Sequence, residues 1–349
     1  GPPATARRGR GSTFVVEADE YAGNFVAYRP NVTVVTNVEW DHPDVFADRG
    51  AVVDAFAAWI GAGSRTLEDP ARAILVANVA DPGGEALVRR LAPGWPGQLL
   101  VTAVMDVPRQ RMAGYARGLA DAYATQTGPA AVLMGRIVAS APDGTTVEVT
   151  GRSVVDEPVT VHIAAAGRHN VANALVVLGA ARALGVAPGS ALDGLASFRG
   201  IGRRLERKGE AGGVVVYDDY GHHPTAIQAT LAAVRQREPG RRVWAVYEPL
   251  TFNRTAALLD GFAAALAQAD AVAIADIWAG RDLDTSVASP EGLARAVATR
   301  RPGLEVVAPG SVEATATWLA GHVLPGDAVL VMGGGRSYRI GELLLEHLA

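Results

Sequence analysis

Cysteine is absent from this 349-residue chain, which excludes a disulfide scaffold, thiolate metal sites and cysteine catalysis. No apolar run reaches the ~18 residues of a membrane-spanning helix, and the N-terminal stretch lacks the apolar core of a signal peptide. Long basic runs are missing too. With 32 Lys+Arg against 36 Asp+Glu the net charge is −4, which argues against a dedicated nucleic-acid binder. These absences predict a soluble, cytoplasmic protein with neither nucleic acid nor membrane among its partners. What is present is apolar: 49% of the residues are hydrophobic, enough to exclude disorder, and the length suits two domains at ~100–200 residues each.

Short β-branched runs alternate with Ala/Leu-rich helical stretches. Residues 13–18 (TFVVEA), 32–36 (VTVVT) and 74–78 (ILVAN) read as buried strands of a parallel sheet, with helices over 52–60 and 85–91 between them. Runs at 131–139, 147–151 and 159–163, separated by Ala-Pro-Asp-Gly and Asp156-Glu157-Pro158, predict a small antiparallel patch. Helices are expected over 169–184 and 190–197. Residues 199–210 read as a charged, glycine-bearing linker, with a hinge at 198–202. Regular alternation then resumes, with strands at 214–217, 243–247, 271–274 and 328–332. Helices are expected over 225–235, 255–268, 291–299, 312–319 and 340–348. The fold class is α/β, with a boundary placed between residues 198 and 199.

Five polar clusters carry the chemistry. Glu17-Ala18-Asp19-Glu20 ends the first apolar run; three carboxylates there suit a hard divalent cation, or else a solvated acidic turn. Asp41-His42, close to Glu39, offers a carboxylate–imidazole pair for a metal or phosphate, or a helix-capping loop. Asn170 and Asn173 lie three apart at a helix start, where amides suit the edge of a nucleotide base and Asn170 alone could cap. Arg203 and Arg204 follow two glycines and suit phosphate binding, or a charged surface. Tyr217-Asp218-Asp219-Tyr220-Gly221-His222-His223-Pro224 is the most specific signal. A capping turn needs one Asp or Thr225, not two histidines, which read as substrate-positioning or proton-handling groups.

In order along the chain, VVEADEY, VVTNVEWDHPD, GRHNVANAL, FRGIGRRLERKGE, VYDDYGHHPTAI and GDAVLVMGGG resemble the Mur ligases, ATP-dependent enzymes that build the peptide stem of peptidoglycan. The branch that joins L-alanine to UDP-N-acetylmuramate is the most similar. The resemblance implies a central ATPase domain over 1–198 and a C-terminal Rossmann-like domain over 199–349. It implies Mg²⁺ held by Glu20 and His42, adenine contacted by Asn170 and Asn173, phosphates by Arg203 or Arg204, and ribose by Asp218 or Asp219. His222 and His223 would face the amino-acid side, with Arg254 contacting a carboxylate or phosphate.

Two departures qualify that resemblance. No G-x-x-x-x-G-K-[ST] occurs, and the family places that loop upstream of the segment matching ARRGRG at 6–11. The expectation is an incomplete central domain, little catalysis by the chain alone, and self-association through the sheet surface left uncovered. Leu250-Thr251 stands where the family's alanine ligases carry His-Arg, so a ligase for recycled murein peptide is the alternative acceptor reading, and a non-catalytic remnant a third. A nicotinamide dehydrogenase is disfavoured because no G-x-G-x-x-G opens a helix.

Overall fold

The computed structural model describes residues 6, 9–151 and 157–349. Asp156 of the expected turn and residues 7–8 of the ARRGRG segment lie outside that set. Two six-stranded sheets account for the strands. In the first, β1 (Val32–Val35), β2 (Ile74–Asn78), β3 (Gln98–Val104) and β4 (Ala131–Ala141) are parallel neighbours in sequence order. The antiparallel pair β5 (Gly144–Thr150) and β6 (Val159–Ile163) extends the sheet past β4.

Because each crossover steps the same way, α1 (Arg49–Arg65), α2 (Pro82–Leu91) and α3 (Arg109–Ala122) gather on one face. Val52, Ile60, Leu87 and Met112 pack there against Leu75, Ala77 and Val101. Helix α4 (Arg168–Ala183) covers the opposite face, with Val171 and Leu175 on Val76, Leu100 and Leu133. Gly179 permits that approach: a Cβ there would lie 2.8 Å from Leu100 Cδ2 and from Val76 Cγ1. Helix α5 (Pro188–Ser197) leads into an exposed stretch at 198–202 in which Gly200 has φ +90°.

The second sheet has the order β11-β10-β9-β12-β8-β7. Its strands are β7 (Glu206–Ala211), β8 (Val214–Asp219), β9 (Val243–Glu248), β10 (Ala271–Ala275), β11 (Glu305–Gly310) and β12 (Ala328–Gly333), parallel except for β7. Helices α6 (Pro224–Arg237), α8 (Leu259–Leu266) and α9 (Pro290–Arg300) cover one face; α7 (Phe252–Ala257) is a short helix just before α8. Helices α10 (Val312–Ala320) and α11 (Tyr338–Leu348) cover the other. No helix among the described residues is long and apolar enough to cross a membrane.

Several expectations are corrected. The run 13–18 is not a strand: it pairs with nothing among the described residues, and Phe14 and Val15 are 82% and 83% exposed. Hydrophobicity alone does not bury a strand without a hydrogen-bonded neighbour, and β1 occupies the sheet edge instead. Residues 206–211, read as linker, form the antiparallel edge strand β7, whose charged side chains suit an edge. Strands β3 and β11 and helix α3 were not anticipated. Pro309 argues against a strand, yet β11 is an edge strand, where a missing N–H is tolerated. The helix expected over 255–268 is divided at Leu258 into α7 and α8.

The correction at 13–18 has a measurable counterpart. Leu75→Ala, at a fully buried site, is expected to lower stability by ~2–5 kcal/mol. Phe14→Ala should change it by less than ~0.5 kcal/mol in the same urea titration. A large loss at Phe14 would show that the segment is packed.

Candidate active site

Ligands of open α/β sheets bind beyond the carboxyl ends of the strands, and the polar clusters lie at those ends. After β1 the chain is fixed by Asp81, the N-cap of α2. Its Oδ2 accepts from Val38 N at 2.9 Å and from Gly84 N at 2.7 Å. The loop then turns through His42, a non-glycine residue at φ +56°, held by the His42 N–Asp41 Oδ1 bond of 2.7 Å. Trp40 Nε1 donates to Phe46 O and closes the loop.

Glu20 and Asp19 reach the same place from the preceding segment. One ligand-capable atom from each of Asp19, Glu20 and His42 lies within 4.8 Å of the others. Asp19 is held by Tyr21 N at 2.8 Å and Asn24 Nδ2 at 3.2 Å, and the Tyr21 ring lies 4.6 Å from the imidazole of His42. Two converging carboxylates and an imidazole offer a donor set that a divalent ion, completed by phosphate oxygens, would accept.

Arg254, from α7 of the second sheet's half, closes this cluster. It is 5% exposed, its Nη2 lies 2.7 Å from Asp41 Oδ1, and the same nitrogen stands 3.4 Å from His42 Nδ1. With a donor facing Nδ1, the proton of a neutral His42 sits on Nε2, which lies 3.8 Å from both Glu20 and Asp41. A cation bound through Nε2 requires that proton to move to Nδ1 and the Arg254 contact to open. Burial alone would raise the Asp41 carboxyl, but Arg254 and His42 beside it bring it below its ordinary value.

The histidine pair divides its work. His223 caps α6 by accepting from Thr225 N at Nδ1, which leaves Nε2–H to donate to Trp40 O at 3.1 Å. Both of its nitrogens are therefore occupied by backbone. His222 is packed edge-on against Tyr220, with Nδ1 2.8 Å from Tyr220 O. Burial lowers its pKa, and the Tyr220 carbonyl opposes that shift. The charges of Arg254, Asp41 and Arg204 act on it as well.

In that second cluster the residues are less interchangeable than their sequence suggests. Arg203 turns inward: Nε meets Asp218 Oδ2 at 3.2 Å, and Nη2 meets Gly333 O at 2.8 Å and Ser337 Oγ at 3.0 Å. Arg204 stays exposed, over the face of Tyr220 at 5.5 Å, and is the one of the two free to meet a phosphate. Asp219 is spent on backbone, accepting from Leu205 N and Gly221 N at 2.8 and 2.7 Å. Asp218 is fully buried and keeps Oδ1 without a partner. Burial raises both carboxyls, against Arg203 for Asp218 and against the two N–H donors for Asp219.

Asn170 sits on the first turn of α4 and Asn173 on the second, apart from the other two clusters. Asn170 Nδ2 donates to Ala166 O at 2.7 Å, and Asn173 is exposed. Sequence reasoning missed Arg281, which lies 4.0 Å over Tyr21 and 3.3 Å from Asp44. It also missed Glu248, buried at the end of β9 with Oε2 unpartnered beside Gly335. Nothing local marks Arg281, but a carboxylate closing an apolar strand was a readable signal for Glu248.

The Mur ligase glutamate ligase domain model matches residues 203–335. The UDP-N-acetylmuramate–L-alanine ligase of Frankia casuarinae is 36% identical over 365 residues, covering 98% of this chain and 68% of that protein. The chain belongs to the Mur ligase family. Among solved structures, the UDP-N-acetylmuramate–alanine ligase of Thermotoga maritima superposes with a TM-score of 0.64 at 18% identity, covering 92% of this chain and 60% of that one. The MurF ligase of Thermotoga maritima, solved in complex with ADP, gives 0.61 at 20% identity, covering 91% and 62%. These two likenesses concern the fold alone. This Mur ligase chain spans about two thirds of the length of the curated relatives it matches.

Proposed function

We propose that the chain acts as an ATP-dependent ligase of peptidoglycan precursor synthesis, joining L-alanine to UDP-N-acetylmuramate through an acyl phosphate. Residues 1–198 would form the central ATPase domain and 199–349 the C-terminal ligase domain. The observation that carries this reading is the junction of Asp19, Glu20 and His42 with Arg254 through Asp41, which sets a metal-type cluster from one sheet against a cation from the other. Phosphoryl transfer followed by amine attack needs charge neutralisation and alignment of three reactants across such a cleft. Mg²⁺, held by Glu20 and His42 with Asp19 beside them, would neutralise phosphate charge. Arg204 would meet the nucleotide phosphates and Asn170 and Asn173 the adenine, while Asp218 and Asp219, both buried and held by Arg203 and by backbone, would shape the floor beneath the nucleotide and not touch its ribose. His222 would sit on the acceptor side, with Arg254 orienting a carboxylate.

The chain's one lysine, Lys208, lies on β7 and pairs with Glu206, so arginines carry the phosphate contacts available here. Lacking the glycine-rich lysine loop, the chain alone is expected to turn over poorly. Self-association along the β1 edge, where Val34 is exposed, belongs to the same reading.

A second acceptor reading rests on the loop after β9. Leu250-Thr251 stands there in place of the His-Arg of the family's alanine ligases, with Leu250 packed over Gly334 and its backbone bridged to Trp278, so a recycled murein peptide is the alternative acceptor.

The test is metal-dependent nucleotide binding in a cytoplasmic-type buffer. Calorimetry should find ADP bound more tightly with Mg²⁺ than without. Glu20→Gln and His42→Ala should each remove about tenfold or more of that gain. Nucleotide affinity that is indifferent to Mg²⁺ and to both substitutions would overturn the assignment.

A further inference from the structure

Helix α6 is tied to the first half of the chain at both ends. At its start, His223 Nε2 donates to Trp40 O at 3.1 Å and Thr225 Oγ1 to Glu39 Oε1 at 3.3 Å. At its end a single amide, Gln236, makes the connection. Its Oε1 accepts from Gly167 N at 2.9 Å. Its Nε2 stands 3.0 Å from Ala141 O, 2.9 Å from Gly144 O and 3.0 Å from Thr145 Oγ1, all in the β4–β5 turn. Two N–H groups thus serve three acceptors, while the carbonyl serves a fourth group.

The Gly167 end of this joint is tightly built. Gly167 precedes α4 at φ +96°, with no side-chain cap, and a Cβ there would lie 3.0 Å from Ala233 Cβ on α6. Ala166, 1% exposed, packs into the core beneath α6. With the Ala166–Gly167 packing, this side chain fixes the height of the start of α4, which carries Asn170 and, one turn on, Asn173, relative to the half that carries His223 and Arg254.

We propose that Gln236 is a positioning residue that holds the nucleotide end and the acceptor end of the reaction site in one geometry. The proposal rests on the ligase reading for what that geometry serves. The docking itself is measured without any ligand.

The experiment compares the chain with Gln236→Glu and Gln236→Ala by small-angle scattering and by tryptic cleavage within 199–204. A carboxylate cannot donate to the turn, and losing two hydrogen bonds shifts a docked equilibrium by roughly 10- to 100-fold. Q236E should expand and be cleaved about tenfold faster or more near neutral pH. Below about pH 4 its protonated acid donates again, and the difference in scattering from the unsubstituted chain should narrow. Q236A should expand without that recovery. Asp143 and His162 beside the joint, Arg237 on α6 and His169 against Gly167 are common to all three proteins, so the comparison isolates position 236. Mg·ADP affinity in calorimetry should fall by a similar factor in both variants. Unchanged scattering and cleavage with intact circular dichroism, or a Q236E expansion indifferent to pH, would overturn the proposal. Expansion of the variants alongside an unsubstituted chain that binds no Mg·ADP would support the docking role and remove the ligase reading instead.

Discussion

Arg254→Met is expected to destabilise the protein by about 2–4 kcal/mol near neutral pH, because it strips the cation from a buried pair. The guanidinium is almost fully enclosed, while the Asp41 side chain keeps 19% of its surface, so part of the stranded charge can be rehydrated. The loss should also depend on pH. In the unsubstituted chain the Asp41 carboxyl lies below its ordinary value of 3.8, so its contribution is full above that value and disappears as pH falls through the depressed one. Without Arg254 the depression shrinks, and the two stability curves should converge in acid. Urea titrations at neutral pH and at a pH well below 3.8, where the depressed carboxyl is protonated, measure both effects. Equal losses at the two pH values would show that Arg254 acts through packing and not through Asp41.

Arg203→Met should cost as much or more, about 3–5 kcal/mol, because its partner is the more deeply buried. The substitution removes three polar contacts and stacking on Tyr220 and Tyr338, and strips Asp218 of its direct ion-pair partner, leaving the more distant Lys208. The sign of the pH dependence follows from burial. Asp218 is already raised above 3.8 and would rise further. The folded variant then holds its proton more tightly than the unfolded chain, so its stability falls as pH climbs from the unfolded value to the raised folded one. Arg203→Lys should recover only part of the loss, since one ammonium cannot address Asp218, Gly333 O and Ser337 in the geometry of a planar fork. A lysine variant as stable as the original would show that charge alone matters there.

Both arginines illustrate what local sequence conveys and what it does not. The motifs at 41–42 and 217–223 follow strands β1 and β8, whereas 17–20 closes a segment, unpaired among the described residues, that the structure brings to the same rim as His42. The link from His42 to Arg254 spans 212 residues and depends on how one sheet's half faces the other, which no local pattern encodes. Arg203 and Arg204 are adjacent and chemically identical in sequence. Only the positive φ of Arg203 and the carboxylate of Asp218 beneath it turn one inward and leave the other in solvent. Most central strands were legible as apolar runs, β3 excepted, and so were the edge strands β1 and β6. The edge strands β7, which is charged, and β11, which contains proline, were not, and the apolar run at 13–18 pairs with nothing among the described residues. Gln236 carries no motif at all, since an amide on a helix acquires meaning only from the turn it meets.

The order of strands in the second sheet bears on how this chain is synthesised. Strands β1 to β4 are laid down beside one another in the sequence in which they leave the ribosome, so that sheet can grow by neighbour addition. Strand β12 belongs between β8 and β9, and it is the last to emerge. Until residue 333 is available, β8 and β9 present facing rows of unpaired backbone with the central slot vacant. A nascent chain halted before β12 should therefore carry a finished first sheet and an open, chaperone-dependent second one. The central strand works as the closing wedge of a sheet that is completed only after both of its neighbours and β10 and β11 have been made.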